Sequence, residues 1–149
     1  MVKKYYGYFG LDLFRLGNGE RNKIDIVRNR DIEEIEFYRC CGVDSKTPTG
    51  RIGEVRWVKG GPGGGISLFD DIESAPISGR FWYRIPVGVD IPSGLGLCDS
   101  RRKKNRATHY TIFPATPMPL DNFKALLREI AEDVKVKPMF EKKKIDNGR

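Results

Sequence analysis

Residues 120–134, LDNFKALLREIAEDV, carry the clearest helical period in the chain, with Leu120, Phe123, Leu126, Leu127, Ile130, Ala131 and Val134 on one stripe. Asp121 stands where an N-cap is expected. A stripe of that width has to cover an apolar surface, and the rest of the sequence offers that surface as short strands. LDLFRL (11–16), IGEVRWV (52–58), ISLFD (66–70), RFWYRIP (80–86) and HYTIF (109–113) read as strands, so the helix is expected to pack on a sheet.

Glycine and proline divide these runs. GNGERN (17–22) reads as a turn, DSKTPTGR (44–51) as a loop, VGVDIPSGLGLCDS (87–100) as a turn-rich connection, and PATPMP (114–119) as the stop of the HYTIF strand. Residues 24–41 mix charged and apolar positions without a helical or strand period. KGGPGGG (59–65) reads as a hinge or a ligand-facing turn where backbone can approach closely. It is not a Walker A loop, because ISLFDD follows and supplies no Gly-Lys-Ser/Thr for phosphate and magnesium.

Two residues stand out chemically within this frame. Alternation along LDLFRL puts Arg15 on the same face as Leu11 and Leu13, so its guanidinium needs a carboxylate, backbone carbonyls or a ligand phosphate. His109, the single histidine, opens the HYTIF strand with Thr111 and Phe113 on its face.

The formal charge of +7 points to anionic partners such as nucleic acid, a phosphate-bearing cofactor or an acidic protein. RRKKNR (101–106) concentrates that charge and reads as a solvated face. Cys40, Cys41 and Cys98 form neither a disulfide framework nor a zinc-like spacing, which fits a reducing compartment. No apolar run is long enough for a membrane helix, and Asp12 and Arg15 interrupt any signal-like N-terminal core, so a cytoplasmic site of action with no membrane partner is expected. A triad hydrolase is disfavoured because no Gly-x-Ser-x-Gly elbow is present. A ribonuclease remains the alternative, with lysines and stackable tyrosines gripping RNA and His109 as an acid/base group.

From Gly64 to Phe123 the order GGISLFDD, RIPVGVDIP, ATHYTIFPATPM and LDNF resembles the cytoplasm-acting exported toxins of bacterial type VI secretion that have an ADP-ribosyltransferase fold. LDLFRL takes the place of the early strand whose arginine the wider superfamily uses. The resemblance implies an α+β single domain over residues 1–140, an ADP-ribosyltransferase-like split mixed β-sheet with flanking helices, followed by a charged, frayed tail at 141–149.

It also implies an NAD-consuming toxin, acting as an ADP-ribosyltransferase on a cytosolic macromolecule or as an NAD glycohydrolase, with a cognate immunity protein or antitoxin as partner. Arg15 would hold NAD phosphates or ribose, and Ser67 would shape the nicotinamide-ribose wall. Phe69, Trp82 or Tyr110 would stack on nicotinamide, and His109 would bond a ribose or act as acid/base. An oxocarbenium-like sugar calls for a carboxylate, and Asp70 is the nearest by motif. The family's threonine before this serine is Ile66 here.

Overall fold

The computed structural model describes residues 4–17, 22–28, 31–32, 34–35, 56–73, 81–100 and 109–139. The loop at 44–51, the basic block at 101–106, the adjacent cysteines 40 and 41 and the tail at 141–149 lie outside the described residues. The strands are β1 (Lys4–Tyr5), β2 (Leu13–Leu16), β3 (Glu34–Ile35), β4 (Trp57–Val58), β5 (Ile66–Phe69), β6 (Trp82–Ile85), β7 (Leu95–Ser100), β8 (His109–Pro114), β9 (Met118–Pro119) and β10 (Lys137–Met139). The helix α1 is Leu120–Ala131. β1, β7, β8, β5, β2, β6 and β10 form a seven-stranded sheet in that order, and β3, β4 and β9 form a three-stranded one.

The chain is thus α+β with two sheets, but the expectation of a mixed sheet is corrected, since every strand pairing among the described residues is antiparallel. In place of several flanking helices, the described residues contain one α-helix. A second correction concerns residues 95–100, which form β7 rather than a turn. The glycine and proline punctuation ends at Gly94, and Leu95 and Leu97 then alternate into the core. Gly96 between them lies under the rings of Phe113 and Tyr6, where a Cβ would come within 2.6 and 2.7 Å of ring carbons. The glycine that looked like a turn signal is a packing position in the ladder.

β8 is central, paired with β7 on one side and β5 on the other, and all six of its residues are buried. Alternation sorts the faces. Ile66 and Leu68 on β5, with Tyr110 and Ile112 on β8, join the main core, to which α1 contributes Leu120, Phe123, Leu127 and Ile130. Ser67 and Phe69 on β5, with His109 on β8, alternate with those core residues; a smaller apolar cluster of Phe69 and Trp82 is backed by Phe14, Leu16 and Ile72.

The helix ends earlier than its sequence period, at Ala131, so Val134 lies in the turn beyond it and is 81% exposed. Its N-cap is Pro119 and not Asp121, which sits in the first turn. The chain enters directly from β9, and the first helical N–H, that of Leu120, donates to the carbonyl of Arg56 at 2.6 Å. Backbone from the small sheet therefore does what a capping side chain does elsewhere.

Candidate functional site

The site begins where two strands part. β2 and β5 share one ladder pair, Phe14 with Phe69. Antiparallel register would next join Arg15 to Leu68 and Leu16 to Ser67, yet the pairing stops and a gap opens. Across that gap the Arg15 guanidinium donates from NH1 to the carbonyl of Ser67 at 2.8 Å and from Nε to the carbonyl of Lys23 at 3.2 Å. The arginine expected to need partners has found two backbone carbonyls, and it ties the incoming segment 22–28 to β5.

The cleft left at this gap encloses about 200 Å³ and is lined by Arg15, Leu16, Lys23, Arg28, Asp31, Ser67 and Phe69. Removal from water lowers the pKa of Arg15 to about 10, Asp31 pulls it up, and Arg28 pushes it down. That value is still well above neutrality, so Arg15 is a fixed cation. With Lys23 and Arg28 it sets three positive charges against the one carboxylate of Asp31.

Ser67 and His109 meet directly. β5 and β8 pair Phe69 with His109 and Ser67 with Thr111, which brings His109 Nε2 within 2.7 Å of Ser67 Oγ. Either Nε2–H donates to the hydroxyl oxygen or the hydroxyl donates to an unprotonated Nε2, according to tautomer. The Phe69 ring lies against the imidazole, with centroids 5.4 Å apart at a 50° tilt. Trp82 also meets Phe69 edge-on, with centroids 6.5 Å apart.

Of the expected site residues, Arg15 and Ser67 line the cleft, while His109 does not line it and is joined to it through the Ser67 hydroxyl. Of the three aromatic residues expected at nicotinamide, Phe69 lines the cleft. Trp82 is 1% exposed, packs with Phe69 and does not line the cleft, while Tyr110 belongs to the main core. Asp70 follows the last residue of β5 and is not among the residues lining the cleft. Ile66 is completely buried in the main core, so the position of the family's threonine is on the core side of β5. The glycine turn 59–65 does not line the cleft either. Gly60 packs on the backbone of Thr116 and Pro117, and Gly65 on that of Ile112.

Residues 11–139 match the Tse2 ADP-ribosyltransferase toxin. The chain belongs to the Tse2 ADP-ribosyltransferase toxin family. It is accordingly an NAD-consuming transferase toxin, and the choice between NAD chemistry and ribonuclease chemistry falls to the former. A comparison with curated proteins finds no match. No helix among the described residues is long and apolar enough to cross a membrane.

Lys23, Arg28 and Asp31 are the charged cleft residues of this Tse2-family chain that sequence reasoning missed. They come from a segment whose conformation is set by distant partners and not by its own period. Asn22 donates from Nδ2 to the carbonyl of Ala131 at 3.3 Å, its Oδ1 accepts the N–H of Ile24 at 3.2 Å, and Asp25 takes Arg128 Nε at 3.3 Å. The end of α1 thus holds the cleft-lining loop. The Asp25 side chain is 6% exposed and that of Arg128 51%, which makes the pair worth about 1 kcal/mol after solvent screening of the arginine. Arg128→Met is expected to lower the melting temperature by a few degrees, read by thermal unfolding; an unchanged midpoint would remove the ion pair from the account of what fixes this loop.

Proposed function

We propose that the cleft between β2 and β5 is the NAD site, with Arg15, Lys23 and Arg28 taking the pyrophosphate, Phe69 facing nicotinamide, and Ser67 with His109 holding the nicotinamide ribose. Arg15, Ser67 and Phe69 lining one gap in the sheet, with the Ser67 hydroxyl bonded in turn to His109, carry this reading. Three cations against one carboxylate leave an excess of two positive charges, matching the two charges of a pyrophosphate. At about 200 Å³ the cleft is smaller than the roughly 300 Å³ where pockets for whole small molecules begin, so it takes one end of the dinucleotide while the remainder lies along the surface.

The Ser67–His109 pair has the chemistry to orient a sugar. The serine oxygen can accept from a ribose hydroxyl while its own proton goes to His109 Nε2, and Phe69 and the strand pairing hold the imidazole in that position. In the ADP-ribosyltransferase-like fold we assign to residues 1–140, these groups hold the donor, and the acceptor is a cytosolic macromolecule of the cell the toxin enters. Type VI secretion delivers it, and a cognate immunity protein with an acidic surface neutralises it in the producing cell; the chain's charge of +7 supports that complementarity.

Nicotinamide release from NAD by the purified chain tests the assignment. Ser67→Ala removes one hydroxyl and is expected to lower turnover about tenfold, the value of one hydrogen bond, with the fold retained. Wild-type turnover in both Ser67→Ala and Arg15→Met would place the NAD site elsewhere.

A further inference from the structure

Breaking the nicotinamide–ribose bond leaves positive charge on the sugar, and a fixed carboxylate is the group best suited to meet it. Among the described residues Asp31 is the carboxylate that lines the cleft, alongside Arg15, Ser67 and Phe69. It is held from two directions. Its carbonyl accepts the N–H of Gly65, two residues before Ser67, and its Oδ2 accepts the N–H of Arg28 at 2.9 Å. An ionised carboxylate has about four acceptor positions, so the single bond from Arg28 leaves most of them available to a ligand.

A turn residue that only receives the Arg28 N–H could equally be asparagine, because the amide oxygen accepts in the same geometry. What distinguishes aspartate is the charge. In a cleft built from three cations to take an anion, a negative charge weakens ground-state binding of a pyrophosphate. Part of that charge offsets the burial of Arg15; beyond that it is useful where positive charge develops as the reaction proceeds, which is the condition for accelerating a step instead of merely tightening binding.

We propose that Asp31 is the catalytic carboxylate of this transferase, placed to stabilise the positive charge that develops on the nicotinamide ribose; this rests on the cleft being the NAD site. In the reaction the C1′–N bond breaks with its electron pair leaving on nicotinamide, the acceptor's nucleophilic atom bonds to C1′, and the acceptor's proton passes to solvent. Asp31 acts through space and forms no covalent bond. Arg28 and Gly65 hold it in register with Ser67, so the charge is already in place when it is needed.

The test is Asp31→Asn, which deletes the charge and keeps the acceptor for Arg28. Turnover for nicotinamide release is expected to fall about a hundredfold, at the lower end of what losing one preorganised electrostatic group costs. The KM for NAD should stay level or drop, and the melting temperature should not move. Wild-type turnover in Asp31→Asn would overturn the proposal, as would a loss seen only as a raised KM or as a lowered melting temperature, or a comparable loss of turnover in Asp70→Asn with none in Asp31→Asn. Arg15→Met and Ser67→Ala are measured in parallel. If both leave release unchanged, the cleft assignment falls and Asp31 with it; if both impair release while Asp31→Asn does not, the carboxylate proposal alone is overturned.

Discussion

Arg15→Met is expected to reduce kcat/KM for NAD about a thousandfold, with most of the change in KM. Two charge-assisted bonds from a guanidinium to phosphate or ribose oxygens, at about 2 kcal/mol each, account for that factor. Methionine keeps the length and apolar stem of the side chain, so the packing of β2 against β6 through Leu13–Ile85 and Leu16–Trp82 is preserved. What disappears is the bridge across the parted strands, from β2 to the carbonyls of Ser67 and Lys23. Arg15→Lys separates charge from geometry. Lysine keeps the cation and lacks the planar fork that reaches both carbonyls, so it should recover only a small part of the loss. The measurement is NAD-dependent nicotinamide release, with circular dichroism confirming the fold. Full activity in Arg15→Met would show that the guanidinium only closes a gap between strands.

The same arginine shows how much of the site could be read from the sequence. Alternation in LDLFRL put a charged group among leucines and so demanded partners for it, and those partners turned out to be carbonyls at the edge of a cleft. Ser67 and His109 were legible for a similar reason: period two along ISLFD and HYTIF assigns each to a face, and antiparallel pairing of β5 with β8 brings the two faces together. Lys23, Arg28 and Asp31 were not legible. Their segment has no period, and its placement depends on Ala131 and Arg128 at the far end of α1 and on Gly65. Sequence separation of that order leaves no local trace.

Two misreadings share one physical cause. Residues 95–100 looked like turn because Gly96 follows the punctuation that ends at Gly94, and Asp121 looked like a cap because of its side chain; in both cases a tertiary partner overrode local preference. Gly96 makes room for Phe113 and Tyr6, and the carbonyl of Arg56 takes the N–H that opens the helix. Strand alternation held where a buried face enforced it, as along β5 and β8. Punctuation by glycine and aspartate held less well, because those residues serve close packing and remote contacts as readily as turns.

Gly65→Ala is expected to destabilise the fold by about 3 kcal/mol, which for a chain of this size lowers the melting temperature by roughly 10 °C. Two independent effects converge there. The backbone at Gly65 has φ +144°, a region that side chains with a Cβ rarely adopt. A Cβ built at this position would also collide with the carbonyl oxygen of Ile112 and approach Thr111 Cγ2 at 2.8 Å. Neither neighbour can yield cheaply, since both lie on β8, the central and fully buried strand. The substitution should also reach the chemistry. Gly65 donates its N–H to Asp31 and leads into the strand bearing Ser67, so any shift that relieves the clash moves the carboxylate and the serine relative to each other. Turnover should therefore fall even at temperatures where the variant remains folded, while KM for NAD, governed by the cations of segment 22–28 and Arg15, changes less. Gly10→Ala, where a Cβ meets nothing within 4 Å and the backbone is not in the positive-φ region, should cost less than about 1 kcal/mol. Equal melting temperatures for the two variants would show that β8 can give way at Ile112, and the rigid backing attributed here to Ser67 would go with it.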